Sequence, residues 1–246
     1  ESDLKVNGTF TQSADSVLEV AVGESTNPKI VTNEAYIDGT LNVTGYQADA
    51  PAKASELTGT NFVVISSTEK IVGDFTSVNA GTLTDSVNYL TVAGGKSADE
   101  YTYSVGLGLT WNAGETKGDG IFTLNNANDS FELDIALQDQ TGPFDSSWDG
   151  KSLTKKGDGT LILSTVQQQY TGKTDIQEGT LSTKVANAFV NSSEVHLGAD
   201  ANLDLNGYNQ IAREFWGEGE VELGSATLTA NNNADRTFSG SISGTG

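Results

Sequence analysis

The apolar residues come in runs too short for helices and alternate with a period of two. Ser16 to Val22 reads S-V-L-E-V-A-V, which puts Leu18, Val20 and Val22 on one face of an extended chain, and Leu4 and Val6 alternate in the same way. Similar runs occur at Thr40–Val43, Asn61–Ile65, Leu90–Val92, Gly120–Leu124, Phe131–Leu137, Thr160–Leu163, Val195–Leu197, Leu203–Leu205, Val221–Leu223 and Thr227–Thr229. Between them lie Gly, Asn, Asp and Ser, the residues that turns need. One segment departs from this pattern: Ala48–Leu57, with Pro51 near its start, reads equally well as a helix or as a surface loop. Everything else predicts an all-β protein.

Internal repetition narrows the architecture. Gly-Thr-Leu occurs at Gly39, Gly81, Gly159 and Gly179, with Gly-Thr-Phe at Gly8, and the last two Gly-Thr-Leu copies are twenty residues apart. Val-x-Leu-Gly starts at Val195 and again at Val221. Such a period suits one turn of a β-solenoid, in which each strand pairs with its equivalent one turn away at ~4.8 Å. At roughly 22 to 25 residues per turn the chain makes about ten turns, a rod on the order of 50 Å long. A sandwich stays open on these grounds alone, although the strands are short for one and Pro is scarce. The 29 Thr fit the outer faces of a solenoid, where a β-branched polar residue suits a pleated surface facing water.

Composition removes several function classes. With no Cys there is no disulfide framework, thiolate nucleophile or Cys-ligated metal. His196 is the single histidine, so a two-histidine metal site cannot be built. Asp and Glu total 33 against 13 Lys and Arg, and a chain of net charge -20 would repel a nucleic acid. No apolar run approaches the ~20 residues of a membrane-spanning helix. With no Met the chain lacks an initiator and reads as a mature or excised piece of a solenoid that continues beyond both ends.

Leu153 to Leu181 reads L-T-K-K-G-D-G-T-L-I-L-S-T-V-Q-Q-Q-Y-T-G-K-T-D-I-Q-E-G-T-L. It closely resembles the passenger-associated repeat of bacterial autotransporters, with landmarks at Lys156, Gly157, Gly159, Thr160, Leu161, Leu163, Tyr170, Thr171, Gly172, Thr174, Ile176, Gly179, Thr180 and Leu181. Leu4–Val20, Ile37–Val43 and Asn61–Phe75 are similar in strand and loop order to passengers of the pertactin and AIDA type. The resemblance implies a right-handed parallel β-helix, exported through the periplasm to the bacterial surface by a carboxy-terminal outer-membrane β-barrel. Missing cysteines then acquire a cause: a disulfide formed in the periplasm would hold the chain in a loop too wide for a narrow pore. The expected organisation is one solenoid in three stretches: residues 1–93 of pertactin and AIDA type, 94–150 with longer loops, and 151–246 built on the passenger-associated repeat.

Passengers include adhesins and enzymes, so fold does not settle function. A serine protease of this family would show Gly-Asp-Ser-Gly, but Gly118-Asp119-Gly120 and Gly157-Asp158-Gly159 have no serine. The string Gly240-Ser241-Ile242-Ser243-Gly244 mimics a nucleophile elbow without a following helix or a histidine downstream, and reads as a turn. Gly106-Leu107-Gly108 lacks the third glycine of a phosphate loop. His196 reads as a solvent-facing strand or corner residue. A β-helix polysaccharide lyase or hydrolase is the enzymatic rival, with Asp139, Asp145 and Asp149 around Trp148, which could stack on a sugar. Those three carboxylates lie within eleven residues and could hold calcium at most weakly, since they lack EF-hand spacing, so no cofactor is predicted.

The reading that results is a non-enzymatic adhesin segment, mediating aggregation, biofilm formation or host attachment through polar side chains repeated on successive turns. Its partners are the same rod on a neighbouring cell, or a host glycan or matrix protein. The candidate adhesive residues are Asn125, Asn126, Asn128 and Asp129, then Asn231, Asn232 and Asn233. A purely structural stalk that aids passenger folding and secretion is the remaining alternative.

Overall fold

The computed structural model describes residues 4–22, 28–44, 52–57, 62–80, 87–111, 118–141, 147–164 and 167–246. The protein is all-β, with parallel coils stacked as a β-solenoid of about nine turns, close to the ten expected from the repeat length. Two compact units divide the chain. One comprises Glu1–Asp49, Thr58–Leu83 and Leu90–Gly108; the other comprises Ala50–Leu57, Thr84–Tyr89 and Leu109–Gly246.

In the first unit, strands Leu4–Thr11, Ile30–Ile37 and Phe62–Ser67 lie side by side in parallel, and Val17–Ala21, Thr40–Thr44 and Ser77–Ala80 form a second parallel sheet. Alternation decides the inward face: Val20 pairs with Val43, and both are buried with Ile30, Ile37, Leu41, Val64 and Ile65 in one core. Strand Thr102–Leu109 breaks the parallel pattern by joining Phe62–Ser67 antiparallel, with Leu90–Lys96 on its far side.

The second unit is more regular. Leu153 pairs with Thr174, Thr174 with Val195 and Val195 with Phe215, so the chain regains register after 21, 21 and 20 residues. On the adjoining stretch Phe131, Leu161, Leu181, Leu203 and Val221 stand in register on successive turns, all fully buried. Each such side chain contributes about 1.5–3 kcal/mol relative to an exposed one. The Gly-Thr-Leu motif now has a physical basis: Leu enters this column, Thr faces outward, and Gly sits where the corner presses on the turn below. Val195–Leu197 and Leu203–Leu205, two runs in the sequence, form a single strand, Val195–Asp204, with the corner inside it. Of the candidate helix over 48–57, residues 48–51 lie outside the described residues, and Ala54–Leu57 forms one short 3₁₀ turn.

Two buried glutamines inside the second unit are paired with backbone groups of neighbouring turns. Gln168 accepts a hydrogen bond from the Leu137 amide (2.8 Å) and donates to the Ile135 carbonyl (3.1 Å). Gln210 does the same two turns later, accepting from the Ala188 amide and donating to the Val185 carbonyl, each at 2.8 Å. These amides replace backbone pairing where neighbouring turns do not meet as strands. Gln210→Leu is therefore expected to lower stability by about 2 kcal/mol, because it strands buried backbone groups, and urea unfolding would measure the loss.

Alternation turns Lys156 outward, and Lys155 is the fully buried lysine. It occupies a column otherwise filled by Phe122, Ile176 and Leu197. Its ammonium donates to the carbonyls of Lys156 (2.9 Å), Gly157 (2.6 Å) and Glu178 (3.1 Å), which uses all three N–H groups. Glu178 reaches back to accept the Gly157 amide at 2.9 Å, closing the corner between two turns.

Candidate functional site

The two asparagine clusters occupy different parts of the second unit. Asn125, Asn126 and Asn128 are exposed in the turn between strands Ile121–Leu124 and Ser130–Leu133. Asp129 ties that turn together, accepting from the amide (3.4 Å) and side chain (3.3 Å) of Asn126. Asn231, Asn232 and Asn233 follow strand Leu228–Ala230, which belongs to a separate two-stranded sheet with Gln210–Ala212. Asn232 is engaged by the fold: its side chain accepts from the Phe215 amide (2.7 Å) and donates to the Phe215 carbonyl (3.0 Å). The Asn233 amide donates to Glu214. The clusters thus sit at corners following different sheets rather than in one array.

The carboxylates weighed as an acid–base pair hold turns. Asp139 accepts from the Thr171 amide (2.7 Å) and hydroxyl (2.8 Å), and Asp149 accepts from the amides of Lys151 and Ser152 and from the Ser152 hydroxyl. Burial pushes Asp149 up, but those bonds outweigh it and hold the carboxyl below its usual range, which suits an acceptor and not a general acid. Trp148 packs edgewise on the buried Trp111, with ring centres 5.0 Å apart, and donates to the Ser152 carbonyl. Asp145 lies outside the described residues.

A constellation that the sequence reading did not assemble forms around His196. Register places Asp175, His196 and Trp216 in one outward column on three successive turns. His196 Nδ1 lies 2.6 Å from Asp175 Oδ1, and because a carboxylate only accepts, Nδ1 carries the proton. The Trp216 ring covers the imidazole at 3.9 Å between centres. Lys173 and Arg236 lie 5.3 and 5.1 Å from the centre of that indole. Arg236 also pairs with Glu194 (2.6 Å) and Glu214 (3.5 Å), and Lys173 with Asp175 (3.7 Å) and Glu194 (3.8 Å). Burial pushes Asp175 up, yet hydrogen bonds from His196 and Gln177 and the Lys173 charge outweigh it, so the carboxyl stays ionised well into acid.

Two members of a catalytic triad are present here, the carboxylate and the imidazole, but the position above the imidazole is filled by an indole. Among the described residues no hydroxyl is hydrogen-bonded to His196 as a nucleophile would be. Among the described residues no group of three His, Asp or Glu side chains converges as for a metal ion. What the arrangement provides is a patch of paired charges on an acidic protein, bordering a recess of about 410 Å³ lined by His196, Trp216, Glu218, Thr237 and Ser239 among others. The column is invisible in sequence because its members are 21 and 20 residues apart; only turn length could have revealed it.

Comparison with known proteins agrees with this architecture. Residues 153–182 match the family model of the passenger-associated-transport-repeat. Along 96% of its length the chain is 32% identical to a protein of Brucella suis described as an adhesin BmaC autotransporter. The matched region is 8% of that relative, so the chain spans a small part of its length.

Proposed function

The chain is a segment of an autotransporter passenger domain, and on that premise we propose that it is an adhesive surface, carried outside the cell, that makes many weak polar contacts along its length. The observation that carries this reading is the outward ladder of the second unit. Thr160, Thr180, Asn202, Glu220 and Ser241 stand in register on five successive turns. Hydroxyl, amide and carboxylate groups repeat there at ~4.8 Å, a spacing that a second copy of the same ladder matches. Each contact contributes about 1 kcal/mol net, so only many together hold two cells or a cell and a host surface. The relative described as an adhesin supports the same reading, and the whole protein would carry an outer-membrane barrel for export.

Part of the net charge of -20 lies on this surface. Glu178 pairs in register with Asp200, and Asp204 with Glu222, which places like charges on neighbouring turns. Two such surfaces repel at long range. Association between copies is therefore expected to strengthen as salt rises from roughly 10 mM to 300 mM and the screening length shrinks from ~30 Å to below 8 Å. Asp204→Asn with Glu222→Gln should move the onset to lower salt. Sedimentation of the purified chain and clumping of cells displaying it test the reading. A monomer at every salt concentration, together with displayed protein that neither clumps cells nor binds host surfaces, would remove it.

The matched repeat supports a second role. Residues 153–182 hold the buried Lys155 and belong to the most regular stacking, as expected of turns that seed passenger folding. Deleting them would then reduce display without changing adhesion per displayed molecule.

A further inference from the structure

The first unit holds a recess of about 430 Å³ lined by Glu34, Ala35, Tyr36, Glu69, Lys70 and Tyr101. Three chain segments distant in sequence build it. Alternation in strand Ile30–Ile37 turns Glu34 and Tyr36 outward on either side of the buried Ala35. Glu69 and Lys70 come from the turn after Phe62–Ser67, held down by the bond from the Glu69 amide to the Asn33 carbonyl at 2.9 Å. Tyr101 precedes Thr102–Leu109, and its carbonyl accepts the Ser67 amide at 2.9 Å.

Two features set this recess apart from an ordinary polar surface. Tyr36 and Tyr101 are 44% and 37% exposed, the two most open rings among the described residues of the unit, and both line the same hollow. Val72, the register partner of Tyr36 on the next turn, is also exposed, so an apolar strip borders the recess. The polar lining is of mixed sign. Glu34 and Glu69 offer acceptors, while Lys70 offers donors and is anchored to Glu100 at 3.0 Å, which also draws in Lys96 at 3.5 Å. Thr9 donates to Glu34 at 3.0 Å and fixes that carboxylate.

We propose that this recess binds a neutral saccharide, a pyranose or short oligosaccharide end. A pyranose has apolar C–H faces that pack on aromatic rings and a rim of hydroxyls that both donate and accept; exposed tyrosines beside carboxylates and an ammonium match both. The volume falls within the range of small-ligand sites. Charge selects among sugars: Glu34, Glu69 and Glu100 around the hollow, within a chain of net charge -20, disfavour an acidic saccharide. A purely cationic ligand would find the carboxylates but would also face Lys70. The assignment rests on the adhesive reading for its use, though not for its chemistry: it gives that surface a host-side partner class separate from association between copies.

Titration of the full purified chain with neutral, sialylated and oligolysine ligands, followed by saturation-transfer NMR and calorimetry, tests the proposal. At least one neutral saccharide is expected to bind, and Tyr36→Ala or Tyr101→Ala to weaken it about tenfold or more, with Glu69→Gln weakening it less. The circular dichroism of the variants should match that of the parent chain. Absence of binding by every neutral sugar, binding unchanged in both tyrosine variants, or preference for oligolysine overturns the assignment. Clumping of cells that persists in the tyrosine variants separates the outcomes: lost sugar binding with retained clumping removes neither reading, whereas retained clumping with no sugar binding in the parent chain removes only this one.

Discussion

Replacing Lys155 with Met is expected to destabilise the turns around residues 153–182 by about 3 kcal/mol or more, the largest effect of any polar substitution in the second unit. Methionine fits the volume but cannot donate, so the carbonyls of Lys156, Gly157 and Glu178 would be left without the ammonium that pairs them at 2.6 to 3.1 Å. Because a solenoid turn contacts mainly its neighbours, the loss should be local, seen as faster hydrogen exchange over these turns before the rest of the unit opens. A variant within about 1 kcal/mol of the parent would show that the three bonds are replaceable by water. The pH dependence has a defined sign. Burial pushes the Lys155 amine down from 10.5 to about 8, partly opposed by Glu178 and Asp158. The folded state therefore holds this proton less tightly than the unfolded one. Between about 8 and 10.5 the unfolded chain carries more protons, so this residue's contribution to stability rises with pH across that window. The difference in urea midpoint between parent and Lys155→Met should widen from pH 8 to pH 10, and a difference that narrows would contradict the assignment.

Lys155 also marks where sequence reasoning stops. Thr160–Leu163 is a strand with the bounds that alternation predicts, and Leu161 and Leu181 are buried as their pattern requires. The same rule applied to L-T-K-K, with Leu153 inward, sends Lys155 inward as well, against the usual expectation that a charge stays in water. The carbonyls of Lys156 and Gly157, completed by that of Glu178 from a corner more than twenty residues away, make the inward ammonium tolerable. Antiparallel pairing of Thr102–Leu109 was equally hidden, because strand direction follows from connections and not from side-chain period. The sites behave likewise. Tyr36, Glu69 and Tyr101 meet because of register between turns, as do Asp175, His196 and Trp216, and no local pattern marks any of them. The asparagine clusters stood out in sequence for a local reason: runs of Asn favour turns, and turns are where they lie.

Gly179→Ala should cost about 3 to 5 kcal/mol, from two sources that a control separates. The residue has φ of 63°, where an L side chain is strained by about 1–2 kcal/mol. A Cβ would also stand 2.2 Å from the Gly157 carbonyl oxygen and 2.8 Å from that of Gly159, and backbone of the turn below cannot swing aside. Gly207 has a similar φ of 80°, but the nearest atom to a Cβ there is Ser225 Oγ at 3.5 Å. Gly207→Ala should therefore lose only the conformational part, about 1–2 kcal/mol, and asparagine, which tolerates this backbone, should recover much of it. Asparagine at 179 should recover little, since its Cβ meets the same oxygen. Unfolding of the four variants by urea distinguishes the sources. The other two Gly-Thr-Leu copies among the described residues favour close approach as the common cause: Gly159 has no positive φ, yet a Cβ there would lie 2.7 Å from the Asp129 carbonyl oxygen, and at Gly39 2.5 Å from those of Ser13 and Ser16, whereas at Gly8 of the Gly-Thr-Phe variant a Cβ would meet nothing within 4 Å. Equal losses at 179 and 207 would instead assign the glycine of Gly-Thr-Leu to backbone conformation alone, and the motif would then mark a turn type and not the tight stacking of one coil on the next.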